Sequence, residues 1–382
     1  MQVREKFEEL FKQSPKVHVR APGRTNLIGE HIDYSGGHVM PIAIDKAVEI
    51  AASPRKDGHF RLYSVQFDQI YEGSLPPEKT EDLFWTNYFF GVVHEFEKLG
   101  RRVSGMDAVI DGDVPRGSGL SSSAAFEVAS AWAIQNLYGG DLSRMEIALL
   151  GQRAENQYVG VNCGIMDQGI SANGKAGHAL LLDCDTLEFE QVPLDFGGKA
   201  AILVAHSGIH RGLSSSAYNL RRGKCDAALE VLREKVDKNL SCLCAASLDQ
   251  LEQCKSDMDD EMFIRARHAI TEEERVRECS KALADGDFET VGRLLNESHY
   301  SLRDDYEVSC EELDALTDMI REHPAAFGSR LTGAGFGGCT VSLVSCDQAQ
   351  TLIEALKRDY YEARGMKPVI FLTKAEDGVH TL

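Results

Sequence analysis

The sequence predicts an α+β protein of two domains, and three observations carry that expectation. Its 382 residues exceed what one hydrophobic core ordinarily supports, so two domains meeting at a cleft are expected. β-branched and aromatic runs separated by Gly, Pro and Asp crowd the first 110 residues and suggest one mixed sheet. From residue 216 to about 322 the pattern turns mainly helical. That shift places the boundary near residue 195, with an N-terminal domain over 1–195 and a C-terminal domain over 196–382.

Element by element, Val3, Phe7, Leu10 and Phe11 recur at helical spacing among Lys and Glu, which reads as a surface helix and not as the apolar stretch of a secretion signal. Strands are expected over residues 17–21, 39–44, 48–52, 60–65 and 103–110, each bounded by turn formers. A helix rich in small residues opens at Ser121 and runs to about residue 137, because Ser caps an N-terminus and Ala propagates the helix. A second helix covers 143 to about 157 and a third begins near Met166. Strands at 179–183 and 201–205 precede the helical stretch. The chain then alternates: strand 339–344, helix 347–364 stopped by Gly365, and strand 369–372.

An apolar fraction of 43% and a charged fraction of 26% are those of an ordinary soluble globular protein. The formal charge of −19 argues against wrapping nucleic acid or lying on an anionic membrane. No run approaches the roughly 20 apolar residues that a spanning helix needs. A polyanionic ligand would need helix N-termini, a metal ion or a few basic side chains to neutralise it. The ten cysteines form no CxxC pair, no zinc spacing and no disulfide-like framework. Free thiols, a cytoplasmic location and a monomer are expected.

Four segments carry polar chemistry. In APGRTNLIGEHIDY, residues 21–34, the groups Glu30, His31 and Asp33 sit after a predicted strand and between glycine turns. They can grip hydroxyls, or form a solvated loop with a salt bridge from Arg24. In DVPRGSGLSSSAAFE, residues 113–127, glycines let the backbone approach a ligand, and serines open a helix whose free N–H groups favour an anion. The loop lacks the Lys of a Walker motif. It reads as a phosphate cradle or as a flexible loop with a capped helix. GSRLTGAGFGGC, residues 328–339, is glycine-rich and could be a bulged turn before a strand. In CGIMDQ, residues 163–168, Asp167 falls at a helix start, where an acid can serve chemistry or merely the helix dipole.

The order of these segments resembles the GHMP small-molecule kinase superfamily, and GRTNLIGEHIDY resembles the galactokinases within it. Further matches are Arg61-Leu-Tyr-Ser64, CGIMDQ, Leu181-Leu-Asp-Cys184, Ala217-Tyr218-Asn-Leu-Arg-Arg222 with Cys225, Arg265-Ala-Arg-His268 and residues 301–310. The resemblance spans nearly the whole chain. It implies an N-terminal domain like ribosomal protein S5 domain 2, a C-terminal ferredoxin-like domain and an active site between them. It implies transfer of phosphate from ATP, with Mg²⁺, to C1 of D-galactose, the entry to galactose catabolism by the Leloir pathway.

Carried over by position, Asp167 resembles the catalytic acid and Arg24 its phosphate-facing partner. Glu30, His31, Asp33, Gly164 and Tyr218 resemble the sugar ligands, although a tyrosine such as Tyr218 is equally a core ring. Ser64 and the loop Gly117, Ser118, Gly119, Leu120, Ser121, Ser122 and Ser123 resemble the nucleotide site, with Ser123 and Glu155 holding Mg²⁺. Whether Asp167 removes the anomeric proton or only orients the hydroxyl stays open. Ile32, Ser35, Gly169 and the stretch Ala205-His206-Ser207 depart from the family wording. Gly169 is expected to leave space beside Asp167 and near C2 of the sugar. Kinases for N-acetylgalactosamine, arabinose or a uronic acid are the alternatives, together with a sugar sensor that binds but does not turn over. The full-length loop 119–125, Arg24 and Asp167 speak against the sensor.

Overall fold

The computed structural model describes residues 3–76, 79–209 and 214–382. Its first sheet is built from β1 (Val17–Asn26), β3 (Pro41–Pro54), β4 (His59–Ser64), β5 (Gln69–Ser74), β6 (Met106–Gly112) and β13 (His380–Thr381), in the order β13-β1-β3-β6-β4-β5. All neighbours are antiparallel except β4 and β6. Val3 and Phe7 of α1 (Val3–Phe11) are buried against Ala51 and Val109 on one face. The other face carries α2 (Thr86–Lys98), α3 (Ser122–Tyr138), α4 (Arg144–Arg153) and α5 (Met166–Asn173). Half of the buried residues of α3 are Ala, at 124, 125, 129, 131 and 133, and such short side chains let the helix lie close to β1 and β3. A small sheet joins β2 (His38–Val39), β7 (His178–Asp183) and β8 (Phe189–Pro193).

The second half opens with β9 (Ala200–His206) and continues through α6 (Ser214–Lys235), α7 (Leu248–Gln253), α8 (Asp260–Asp285), α9 (Phe288–Asp304) and α10 (Glu311–Glu322). Then come β10 (Ala326–Thr332), β11 (Cys339–Ser345), α11 (Ala349–Leu356) and β12 (Ile370–Thr373). Their antiparallel sheet has the order β10-β11-β9-β12. A core of Leu203, Leu316, Ile320, Val344, Leu352 and Tyr360 lies between it and the helices α10 and α11. The end of the chain returns to the first half, where Thr381 pairs with Val19.

Several elements differ from expectation. The expected strands 39–44 and 48–52 run together from Pro41 as one strand, Pro41–Pro54, because Asp45 and Lys46 only turn outward where the expected break lay, while Val39 pairs in β2. The expected helix 143–157 becomes a wide π-type turn from Ala154 to Val159, and the expected helix 347–364 does so from Lys357 to Tyr361 before Gly365 stops it at φ 63°. The glycine-rich segment at 328 is half strand. Gly328 lies within β10 because a Cβ there would overlap the Gly292 backbone of α9, so the helix and strand cross without side chains between them. No disulfide joins the ten cysteines, and no described helix is long and apolar enough to cross a membrane.

Candidate active site

Between the halves lies a cleft of about 330 Å³ lined by Arg24, Glu30, His31, Asp33, Gly164, Asp167, Tyr218, Glu155 and loop residues from Gly117 to Ser123 other than Ser118. Ser118 is fully buried, and its hydroxyl donates to the Pro115 carbonyl at 2.5 Å, so its side chain holds the loop and does not face the cleft.

Asp167 stands in the first turn of α5. Its Oδ1 accepts from Arg24 Nε at 2.8 Å and Nη2 at 2.7 Å, and its Oδ2 accepts from the Ser121 hydroxyl at 2.5 Å. Arg24 lies where β1 shifts register. Its guanidinium also donates to the Gly119 carbonyl and its backbone N–H to the Leu120 carbonyl, so β1 and the loop are stitched together. Ser121 adopts φ 59° immediately before α3, whose first residues Ser122 and Ser123 line the cleft.

The loop carrying Glu30, His31 and Asp33 follows β1. Glu30 is buried, and its carboxylate accepts from Asn26 Nδ2 at 2.5 Å, Arg330 Nη2 at 2.5 Å and the Gly333 N–H. Burial raises its pKa even though Arg330 and Arg24 oppose this. His31 has φ 64°. Its Nε2 faces the Ala334 carbonyl at 3.2 Å, which can only accept, so in the neutral ring Nδ1 accepts from the Tyr34 hydroxyl at 2.8 Å. The Tyr34 hydroxyl in turn meets that of Tyr306 at 2.7 Å, and the Tyr218 ring packs 5.5 Å from the imidazole. Asp33 begins a short 3₁₀ turn, with its carboxylate 3.4 Å from the Met166 N–H at the start of α5. Burial, reinforced by Asp167 and Glu30, pushes it up to about 6. A Cβ at Gly164 would overlap this carboxylate, so glycine there makes room for Asp33.

Behind the loop, Gln168 Nε2 donates to Glu127 at 2.9 Å and to Glu155 at 2.8 Å. Burial pushes both acids upward, Glu127 further through Glu155, and Glu155 further through Asp167. Glu127 Oε1 is buried without a hydrogen-bond partner. Excess negative charge beside Ser123 is what a cation would relieve. Among the described residues no three His, Cys or carboxylate groups close around an ion by themselves.

Ser64, at the end of β4, lines a neighbouring pocket of about 140 Å³ with Phe67, Trp85, Tyr88, Arg116 and Phe126, and this pocket meets the first at Ser122 and Ser123. Phe67 and Trp85 stand nearly parallel, 6.2 Å apart. Sequence reasoning did not single out Arg330, Gly333, Tyr34, Tyr306, Glu127, Gln168 or these aromatic residues. Only the match at 301–310 pointed toward Tyr306. Gly169 requires a correction: it does not line the cleft, and a Cβ there would meet Leu182 of β7 at 3.2 Å. It therefore adds no space to the cleft, because its Cα faces the small sheet.

Comparison with known proteins agrees along the chain. Residues 87–175 match the GHMP kinases N terminal domain, 279–362 the GHMP kinases C terminal domain, and 5–54 a galactokinase galactose-binding signature. A galactokinase of Roseiflexus sp. is 45% identical, covering 99% of this chain and 96% of that protein. One from Clostridium acetobutylicum is 42% identical, covering 98% and 97%. The crystal structure of Lactococcus lactis galactokinase complexed with galactose superposes with a TM-score of 0.94 at 35% identity, over 99% of this chain and 98% of that one.

Proposed function

The chain belongs to the galactokinase family of GHMP kinases, and from that premise we propose that its cleft moves the terminal phosphoryl group of ATP onto the C1 hydroxyl of D-galactose. The observation that carries this reading is Asp167, held between Arg24 and Ser121 where the sugar-side loop meets the phosphate loop. The oxygen of the C1 hydroxyl forms the new bond to phosphorus as the bond to ADP breaks, and the hydroxyl proton passes toward Asp167. Asp167 Oδ1 already accepts twice from Arg24, whereas Oδ2 accepts only from Ser121 and keeps a lone pair for that hydroxyl. Arg24, whose charge matters most as the phosphoryl group transfers, lies on the loop side. Glu30, Asp33, His31 and Tyr218 line the sugar end with Gly164 beneath, and Ser64 with the aromatic pocket takes the base and ribose.

Ser123 and Glu155 would hold Mg²⁺, with the nucleotide phosphates completing its coordination, which suits an ion usually bound by one or two carboxylates plus phosphates. When bound, that ion would neutralise charge on the phosphates. Ten cysteines that form no disulfide fit the cytoplasmic location proposed for this enzyme, a monomer is proposed with it, and the division near residue 195, between β8 and β9, separates the two halves of the cleft.

The test is ADP release over a panel of free sugars with Mg-ATP, with phosphorus NMR of the product. Galactose is expected first, 2-deoxygalactose and galactosamine weaker, and N-acetylgalactosamine weaker still. Glucose differs only in the direction of its C4 hydroxyl, and a buried carboxylate left unpartnered lowers kcat/KM by about tenfold to several-hundredfold. An anomeric phosphate is expected. Phosphate on C6, or a uronic acid or N-acetylgalactosamine outrunning galactose, would overturn the assignment.

A further inference from the structure

The motif Arg265-Ala-Arg-His268 has no part in the chemistry above, and its place in the fold gives it one. On α8, His268 and Glu272 are one helical turn apart, fully buried, and outside the cleft lining. Both face the backbone of the sugar-side loop. His268 Nε2 donates to the Glu30 carbonyl at 3.0 Å, and Nδ1 accepts from the Ser301 hydroxyl at 2.9 Å. Burial lowers the imidazole to about 4, so it is neutral. Glu272 Oε1 accepts from the Gly29 N–H at 3.0 Å, the Ser298 hydroxyl at 2.7 Å and, at 3.4 Å, the Glu30 N–H. Its Oε2 accepts from Arg275 at 2.7 Å. Burial would raise this carboxylate, but Arg275 and other neighbours outweigh it and hold it near 2. Gly29, at φ 97°, is wedged where a Cβ would come within 2.7 Å of the His38 carbonyl.

Both peptide groups flanking Glu30 are thus tied to α8, and the loop has little freedom to choose another path. We infer that His268 and Glu272 are positioning residues for the sugar: by fixing the backbone at Gly29 and Glu30 they aim the groups at 30–33, so sugar affinity is set from α8 and nucleotide affinity is not. The inference rests on reading the cleft as a galactose kinase. A loop held this way meets its ligand with less ordering to do, which is where binding free energy is otherwise lost.

The experiment compares Glu272→Gln, His268→Leu and His268→Gln with the wild type in steady-state kinetics, galactose titration calorimetry and hydrogen exchange. Glutamine at 268 keeps an N–H able to reach the Glu30 carbonyl, whereas leucine keeps only bulk. In Glu272→Gln and His268→Leu the galactose Kd and KM should rise at least tenfold, with the ATP KM within twofold and kcat falling less than KM rises. His268→Gln should recover most of the affinity. Exchange across residues 29–33 should accelerate at least tenfold, while residues 117–124 stay unchanged. Unchanged galactose affinity, equal rises in both KM values, or His268→Gln as impaired as His268→Leu would overturn the inference. If Glu272→Gln does not fold, the two His268 variants decide. Should wild type neither bind nor phosphorylate galactose, the kinase assignment falls, and the exchange at 29–33 still judges the clamp.

Discussion

The sugar-side loop and the phosphate loop meet at Asp167 but are held in opposite ways. Glu30 and its flanking peptides are enclosed by Arg330, Gly333, His268 and Glu272, all from the second half of the chain. The phosphate loop is stitched mainly to its own half by Arg24 and Ser118, and Arg116 and Gly117 are exposed. The difference suits the ligands proposed for each. Distinguishing an axial from an equatorial hydroxyl needs a hydrogen-bond partner fixed in direction. A phosphate is gripped by backbone N–H groups and a helix dipole, which act over a broader range of geometry.

The largest expected effect comes from the residue that joins the two regions. Asp167→Asn should lower kcat by about 10³-fold or more, in line with loss of a proton acceptor, while ATP and galactose Kd change less than about threefold. Arg24→Ala should likewise act on kcat more than on KM, if its charge serves the transferring phosphoryl group as proposed. Calorimetry of both ligands alongside turnover reads the split. A variant at 167 keeping a tenth of wild-type turnover would remove that carboxylate from the chemistry and leave the two loops without a shared centre.

A second effect tests the cost of holding the sugar side rigid. Asp33 is pushed from the ordinary 3.8 to about 6 by burial and then by Asp167 and Glu30. Because the folded pKa lies above the unfolded one, the native state holds the proton longer, and stability falls as pH rises from about 4 to 6. Above that window the full penalty remains. Asp33→Asn should therefore be more stable than wild type at pH 7.5, by about 1 to 3 kcal/mol, and match it near pH 4, while binding galactose poorly. Urea unfolding of both proteins across pH 4 to 7.5 gives the difference. A gap that does not grow with pH would show that the loop is not electrostatically strained.

These contrasts explain what could be read in advance. Glu30, Asp33, Asp167 and the serine loop are contiguous strings whose residue types and glycine spacing already suggest hydroxyl and phosphate binding. Arg330 and Gly333 act on Glu30 across some 300 positions of sequence, and local spacing carries no trace of such a pairing. Arg265-Ala-Arg-His268 was visible as a string, but its purpose depends on where α8 lies. Trp85 and Phe67 carried no signal in the sequence, because only the fold opens a pocket beside them. The helical region after residue 216 was legible from periodicity, whereas the wide turns at 154 and 357 depend on tertiary packing that periodicity does not encode.

The smallest effect is the sharpest test of the contrast, since it perturbs the phosphate loop with one atom. The Ser118 hydroxyl is buried and donates to the Pro115 carbonyl. In Ser118→Ala that carbonyl, only half-buried, can turn to water, so the cost should be that of one ordinary hydrogen bond, about 0.5 to 1.5 kcal/mol. The far end of the loop stays fixed, because the Gly119 and Leu120 carbonyls still accept from Arg24. Only the turn at 115–118 loosens. The ATP KM should rise a few-fold, and galactose affinity should not change, since the hydrogen bond lost joins Ser118 only to Pro115. Kinetics with each substrate varied in turn, beside a urea melt, measures all three quantities. A galactose KM rising together with that for ATP would mean the two loops form one mechanical unit, and the division drawn between a clamped sugar reader and a tolerant phosphate cradle would be wrong.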